Sequence, residues 1–145
     1  MAINADPQAY KKAMTRKFRK PPVDREGPQQ KLFFDWLRFT HPDVYKHTFH
    51  IPNGGQRSGK AGAKMKREGV KRGVPDIMVA LSKGQWPALF IEFKAAKPHD
   101  SNVSAEQKEW LDRLNKAGYL AVVCRGVAEA KKAITDYLMA DEVPY

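Results

Sequence analysis

Asp76, Glu92 and Lys94 are the residues of this sequence whose types and spacing could do chemistry. In Ile91-Glu92-Phe93-Lys94 the alternation of a β-strand sends Ile91 and Phe93 to one face and brings Glu92 and Lys94 together on the other. A carboxylate and an ammonium in an otherwise apolar strand carry a desolvation cost unless they pair, bind a metal or reach water. Asp76 follows Gly73-Val74-Pro75, so a second carboxylate begins a neighbouring apolar strand after a rigid turn. With Asp76 opposite Glu92 the two make a divalent-metal site, to which a backbone carbonyl such as that of Phe93 adds an oxygen. Hard oxygen ligands of this kind suit Mg²⁺ or Mn²⁺. Those ions activate a water and stabilise charge on a scissile phosphate, while a nearby lysine orients the nucleophile or neutralises the developing anion. The same residues also fit a plain hairpin with a surface salt bridge, which contributes little to stability.

The elements that must position these residues follow from periodicity. Leu32, Phe33, Trp36 and Leu37 recur at helical spacing, predicting an amphipathic helix over 28–40 that Pro28 opens and Pro42 ends. Tyr45, His47, Phe49 and Ile51 alternate with polar residues, the period of a half-buried strand, and Pro52-Asn53-Gly54-Gly55 turns the chain. A short basic helix is expected over 60–68, with Gly69 as its stop. Strands over 76–81 and 88–94 make a hairpin around a turn-rich link. Ser104-Ala-Glu-Gln107 matches a capping box, followed by a helix carrying Trp110, Leu111 and Leu114 that Gly118 stops. A buried strand over 119–124 and a helix over 127–138 complete the series. The expected fold is α/β, a mixed sheet flanked by helices, with the 76–81 and 88–94 strands antiparallel and the last strand joined by a crossover helix.

Composition sets the partners. The 145 residues include 26 Lys and Arg against 16 Asp and Glu, a net charge of +10, which points to a partner rich in phosphate. Anionic membrane or an acidic protein would suit the same balance. Arg57, Lys60, Lys64, Lys66, Arg67, Lys71 and Arg72 stand against the single acid Glu68, and this run reads as a phosphate-binding surface rather than a merely solvated face. More basic residues lie in an arm over 1–23 that ends in Pro21-Pro22, leaving 24–145 as one domain. No apolar run is long enough to span a bilayer and the start lacks the pattern of a signal peptide, so a cytoplasmic protein is expected. The lone Cys124 excludes an internal disulfide and any multi-cysteine zinc site. His47 and His50 read as structural or surface residues, His99 as exposed, and Trp86 as an exposed turn aromatic.

Pro75-Asp76 followed by Glu92-Phe93-Lys94 on a hairpin resembles the PD-(D/E)xK nuclease signature, and its wider setting resembles the VRR-NUC family, particularly small stand-alone members carried by phages. The resemblance rests also on Ile51-Pro-Asn-Gly-Gly-Gln-Arg57, Glu68-Gly-Val-Lys-Arg-Gly-Val-Pro-Asp76, Ser104-Ala-Glu-Gln-Lys-Glu-Trp110 and Gly118-Tyr119, with Val70-Lys71-Arg72 as the basic run before Pro-Asp. It implies a restriction-endonuclease-like core in which Asp76, Glu92 and the Phe93 carbonyl bind metal and Lys94 is catalytic. Gln107 matches the family's glutamine near the site, and Glu26 aligns with a glutamate at the first helix. The implied activity is metal-dependent endonucleolytic cleavage of DNA by a homodimer, on branched substrates such as four-way junctions. Two other readings stay open on the residues: a basic DNA- or RNA-binding module without catalysis, and a subunit directed by a partner docked on the arm.

Overall fold

The computed structural model describes residues 21–53 and 59–142, together with Gln8. Helix α1 (Glu26–Thr40) starts two residues earlier than the periodicity predicts, because the Asp24 carboxylate accepts hydrogen bonds from the Glu26 and Gly27 amides at 3.1 and 2.9 Å. A one-turn helix α2 (Pro42–Tyr45) follows. It takes up the beginning of the expected 45–51 strand, leaving only β1 (Thr48–His50). Pro42 both ends α1 and opens α2. At a first helical position its missing N–H costs nothing, Asp43 complements the helix N-terminus, and Val44 is buried. The Thr48 hydroxyl donates to the Val44 carbonyl at 2.8 Å, closing α2 onto β1.

The rest keeps the expected order: α3 (Gly59–Arg67), β2 (Ile77–Val79), β3 (Leu89–Lys94), α4 (Ala105–Lys116), β4 (Leu120–Arg125) and α5 (Gly126–Leu138), then a 3₁₀ turn over Met139–Glu142. The four strands stand in the order β1-β2-β3-β4. The first two pairings are antiparallel. β3 and β4 run parallel and are joined through α4. This is the mixed α/β sheet expected from the sequence.

Strand alternation divides the core between the two faces. Ile77, Val79, Leu89, Ile91, Phe93 and Cys124 pack with Phe33 and Leu37 of α1 and Ala130, Ile134 and Tyr137 of α5. On the other face Phe90 and Ala121 pack with Leu114 of α4, alongside Trp110 and Leu111. Trp86 is half-buried rather than exposed: its ring lies 6.2 Å from that of Tyr137, which reaches across from the C-terminal helix. Among the described residues, no helix is long and apolar enough to cross a membrane.

Candidate active site

The β2–β3 register pairs Ile77 with Ile91. One residue before β2 begins, Asp76 therefore faces Glu92 on the side of the sheet that carries α4. The Asp76 carboxylate accepts a hydrogen bond from the Phe93 N–H at 2.8 Å. A residue's N–H and C=O leave a strand along the same edge, so the Phe93 carbonyl also points toward the Asp76 side while its ring enters the opposite core.

Glu92 is 1% exposed and Lys94 6%. Their burial is tolerable because of Gln107, whose amide nitrogen donates to Glu92 Oε1 at 2.6 Å and whose oxygen accepts from Lys94 Nζ at 3.1 Å. Lys94 Nζ itself lies 3.4 Å from the same Glu92 oxygen. Gln107 is held by the capping box: its oxygen also accepts from the Ser104 N–H at 2.8 Å, and its N–H donates to the Ser104 hydroxyl at 3.2 Å. One glutamine thus closes the start of α4 and bridges the acid and the base of β3.

Glu92 Oε2 is buried and no donor reaches it. Burial, and next the neighbouring Asp76 carboxylate, push the Glu92 carboxyl up to about 8, against the opposing pull of Lys94. Burial also raises the Asp76 carboxyl, opposed chiefly by the Phe93 N–H. The two acids resist ionising together: with one proton between them the carboxyls hydrogen-bond each other, which lowers Asp76 and raises Glu92, and with both ionised the pair is a place that a cation would satisfy. Asp76, Glu92 and the Phe93 carbonyl supply hard oxygens that fit a Mg²⁺ or Mn²⁺ ion. Among the described residues no three His, Cys, Asp or Glu side chains converge into a group that could hold a metal ion.

Glu26 sits in the first turn of α1. Its carboxyl is raised by burial and then by Asp76, and lowered by Lys94, so it lies within electrostatic reach of the site without joining the pair in one cluster. Lys60, Lys64, Lys66 and Arg67 line α3, which buries none of its residues, and Lys71 and Arg72 are exposed in the turn leading to Asp76. Arg57, the Gly54-Gly55 turn and the basic cluster of the arm lie outside the described residues.

Several contributors escaped the sequence reading. His50 Nδ1 lies 2.8 Å from the Asp76 carbonyl, and the Asn53 amide donates to the Val74 carbonyl. Gln29 of α1 accepts from the Ala96 N–H at 2.8 Å, anchoring the chain just past Lys94. Arg125, opposite Lys94 in the β3–β4 register, holds Asp100 at 2.9 Å. All four contacts join residues distant in sequence, and only the motif Ile51-Pro-Asn53 hinted at any of them.

A mixed sheet with α1 and α5 on one side and α4 on the other, carrying Asp76, Glu92 and Lys94 together at one end, defines a restriction-endonuclease-like, nuclease-type domain. The model of the VRR-NUC domain matches residues 45–128, a span that includes Asp76, Glu92, Lys94 and Gln107 but not Glu26. The chain belongs to the VRR-NUC family. It is similar to a solved structure described as a VRR_NUC domain protein, at 28% identity and a TM-score of 0.71, covering 83% of this chain and 93% of that one. No curated protein matches it.

Proposed function

We propose that this chain is a divalent-metal-dependent endonuclease that hydrolyses DNA phosphodiester bonds, with Asp76 and Glu92 as metal ligands, the Phe93 carbonyl as a further ligand and Lys94 as the catalytic lysine. The observation that carries the reading is the pairing of half-buried Asp76 with fully buried Glu92, whose Oε2 has no hydrogen-bond partner, beside Lys94. A bound Mg²⁺ or Mn²⁺ supplies Lewis-acid stabilisation of the phosphate and lowers the pKa of an attacking water. Lys94 places a cation at the same point and can donate to the attacking water or to a phosphate oxygen. Gln107 fixes the ion-paired Lys94 and Glu92 relative to each other, because each takes one end of its amide. Glu26 adds negative charge at the rim, which favours cation entry.

The exposed bases of α3, together with Arg57, Lys71 and Arg72, would hold the DNA backbone. Branched DNA such as a four-way junction, cut by a homodimer whose two sites make symmetric incisions, is the substrate we favour.

The test is cleavage of labelled single-stranded, duplex, flapped and four-way-junction DNA in Mg²⁺, Mn²⁺ or EDTA by wild type, Asp76→Ala and Lys94→Ala. Metal-dependent cutting is expected, with Lys94→Ala slower by on the order of 10²–10³-fold. Asp76→Ala should be at least as impaired. Salt-sensitive binding without cutting, equal in all three proteins, would instead identify a basic binding module.

A further inference from the structure

Asp76 stands one residue before β2 begins, so the sheet alone does not hold it. The turn before it is gripped from two sides. On one side Gly73, at φ +81°, presses on the start of α4, where a Cβ would come within 2.7 Å of the Glu106 backbone. On the other, the segment leaving β1 binds the backbone of the turn through three donors. Asn53 donates to the Val74 carbonyl, the Ile51 N–H donates to the Asp76 carbonyl at 2.6 Å, and His50 Nδ1 approaches that same carbonyl at 2.8 Å.

A carbonyl oxygen only accepts, so the His50 contact requires the ring proton on Nδ1. Gln30 Nε2 lies 3.1 Å from the same nitrogen; one ring nitrogen cannot both donate to the carbonyl and accept from this amide, and the carbonyl contact is the shorter at 2.8 Å. His50 thus stands between α1 and the Asp76 peptide, with the Nδ1–H tautomer donating to the main chain of a residue whose carboxylate faces Glu92.

We propose that His50 is a positioning residue for the metal site: through its hydrogen bond to the Asp76 carbonyl it holds the Asp76 carboxylate in register with Glu92, and so sets divalent-cation affinity without touching the ion. The inference rests on the reading that Asp76 and Glu92 share a divalent cation. Ligand geometry tolerates errors of only about 0.5 Å, and outer-shell partners that orient a ligand typically contribute 10–100-fold to metal affinity.

The experiment is Mn²⁺ titration of the full chain by calorimetry, without DNA, for wild type, His50→Ala, His50→Gln and His50→Asn. The asparagine amide nitrogen falls where Nδ1 stood, whereas that of glutamine falls where Nε2 stood. His50→Ala and His50→Gln should weaken Mn²⁺ binding by about 10–100-fold, and His50→Asn should recover most of the affinity. The concentration of Mn²⁺ needed for half-maximal cleavage should shift in the same order. Unchanged Mn²⁺ affinity in all three variants would overturn the proposal, as would an asparagine variant no better than alanine. Thermal unfolding in EDTA identifies any variant that fails to fold, and the asparagine–glutamine contrast still decides the matter if alanine does. Absence of Mn²⁺ binding by wild type would instead remove the shared-cation reading on which the inference stands.

Discussion

The two faces of the sheet solve opposite problems with the same strand. All six residues of β3 are buried. Leu89, Ile91 and Phe93 enter a closed apolar core between α1 and α5, whereas Phe90, Glu92 and Lys94 point toward α4, which covers only part of its face with apolar side chains. On the first face burial lowers the free energy of the fold at roughly 25 cal/mol per Å² of apolar surface. At the far end of the second it raises the free energy, because an acid and a base are desolvated and Glu92 Oε2 has no donor. The closed face therefore supplies the stability that lets the other hold charged groups in a fixed arrangement, as expected where a local rule of packing is broken at a functional site.

That contrast can be attacked one residue apart. Ile91→Ala, on the closed face, should destabilise the fold by about 2–5 kcal/mol in chemical denaturation, while the folded fraction keeps its site. A loss below 1 kcal/mol would mean that the closed face is not the main source of stability. Glu92→Gln should act in the opposite sense on the metal-free protein and abolish cutting.

The next largest effect is pH-dependent. The unfolded chain releases the Glu92 proton near 4.5 and the folded chain retains it to about 8. Over that window the folded state binds more protons, so stability is full below 4.5 and falls as pH rises. The unfolding temperature in EDTA should therefore drop between pH 5 and 8, and Glu92→Gln should flatten that part of the slope. A wild-type curve no steeper than that of the variant would refute the account of Glu92.

The smallest expected effect lies away from both faces. Lys64→Glu with Arg67→Glu on α3, none of whose residues is buried, should change stability by less than about 0.5 kcal/mol. It should weaken DNA binding and lower the salt slope by roughly 2, read from filter binding across a salt series. An unchanged slope would take α3 out of the interface.

Much of this arrangement was legible in the sequence, for local reasons. Strand alternation places Glu92 and Lys94 on one face, a proline-led turn starts the Asp76 strand, and Ser104 with Gln107 spells a capping box whose glutamine also turns out to serve the site. Apolar spacing locates α1 and α4, whereas α2 leaves no such signal. Pro42 signals a stop in the sequence, and the same fixed φ that ends one helix also begins the next. Trp86 reads as exposed in the sequence because the ring that packs beside it, Tyr137, comes from the far end of the chain. His50 and Asn53 were undervalued for the same reason: their hydrogen bonds reach 26 and 21 residues along the sequence, and no periodicity encodes a partner so distant.

The central claim is that Asp76 and Glu92 meet at one divalent cation, and a crystal of the protein soaked in Mn²⁺ tests it most directly through the anomalous signal of the metal. The account predicts a Mn²⁺ ion bridged by the two carboxylates, with the Phe93 carbonyl in its coordination sphere. Carboxylates that remain unbridged at saturating Mn²⁺, or an ion bound elsewhere, would contradict it.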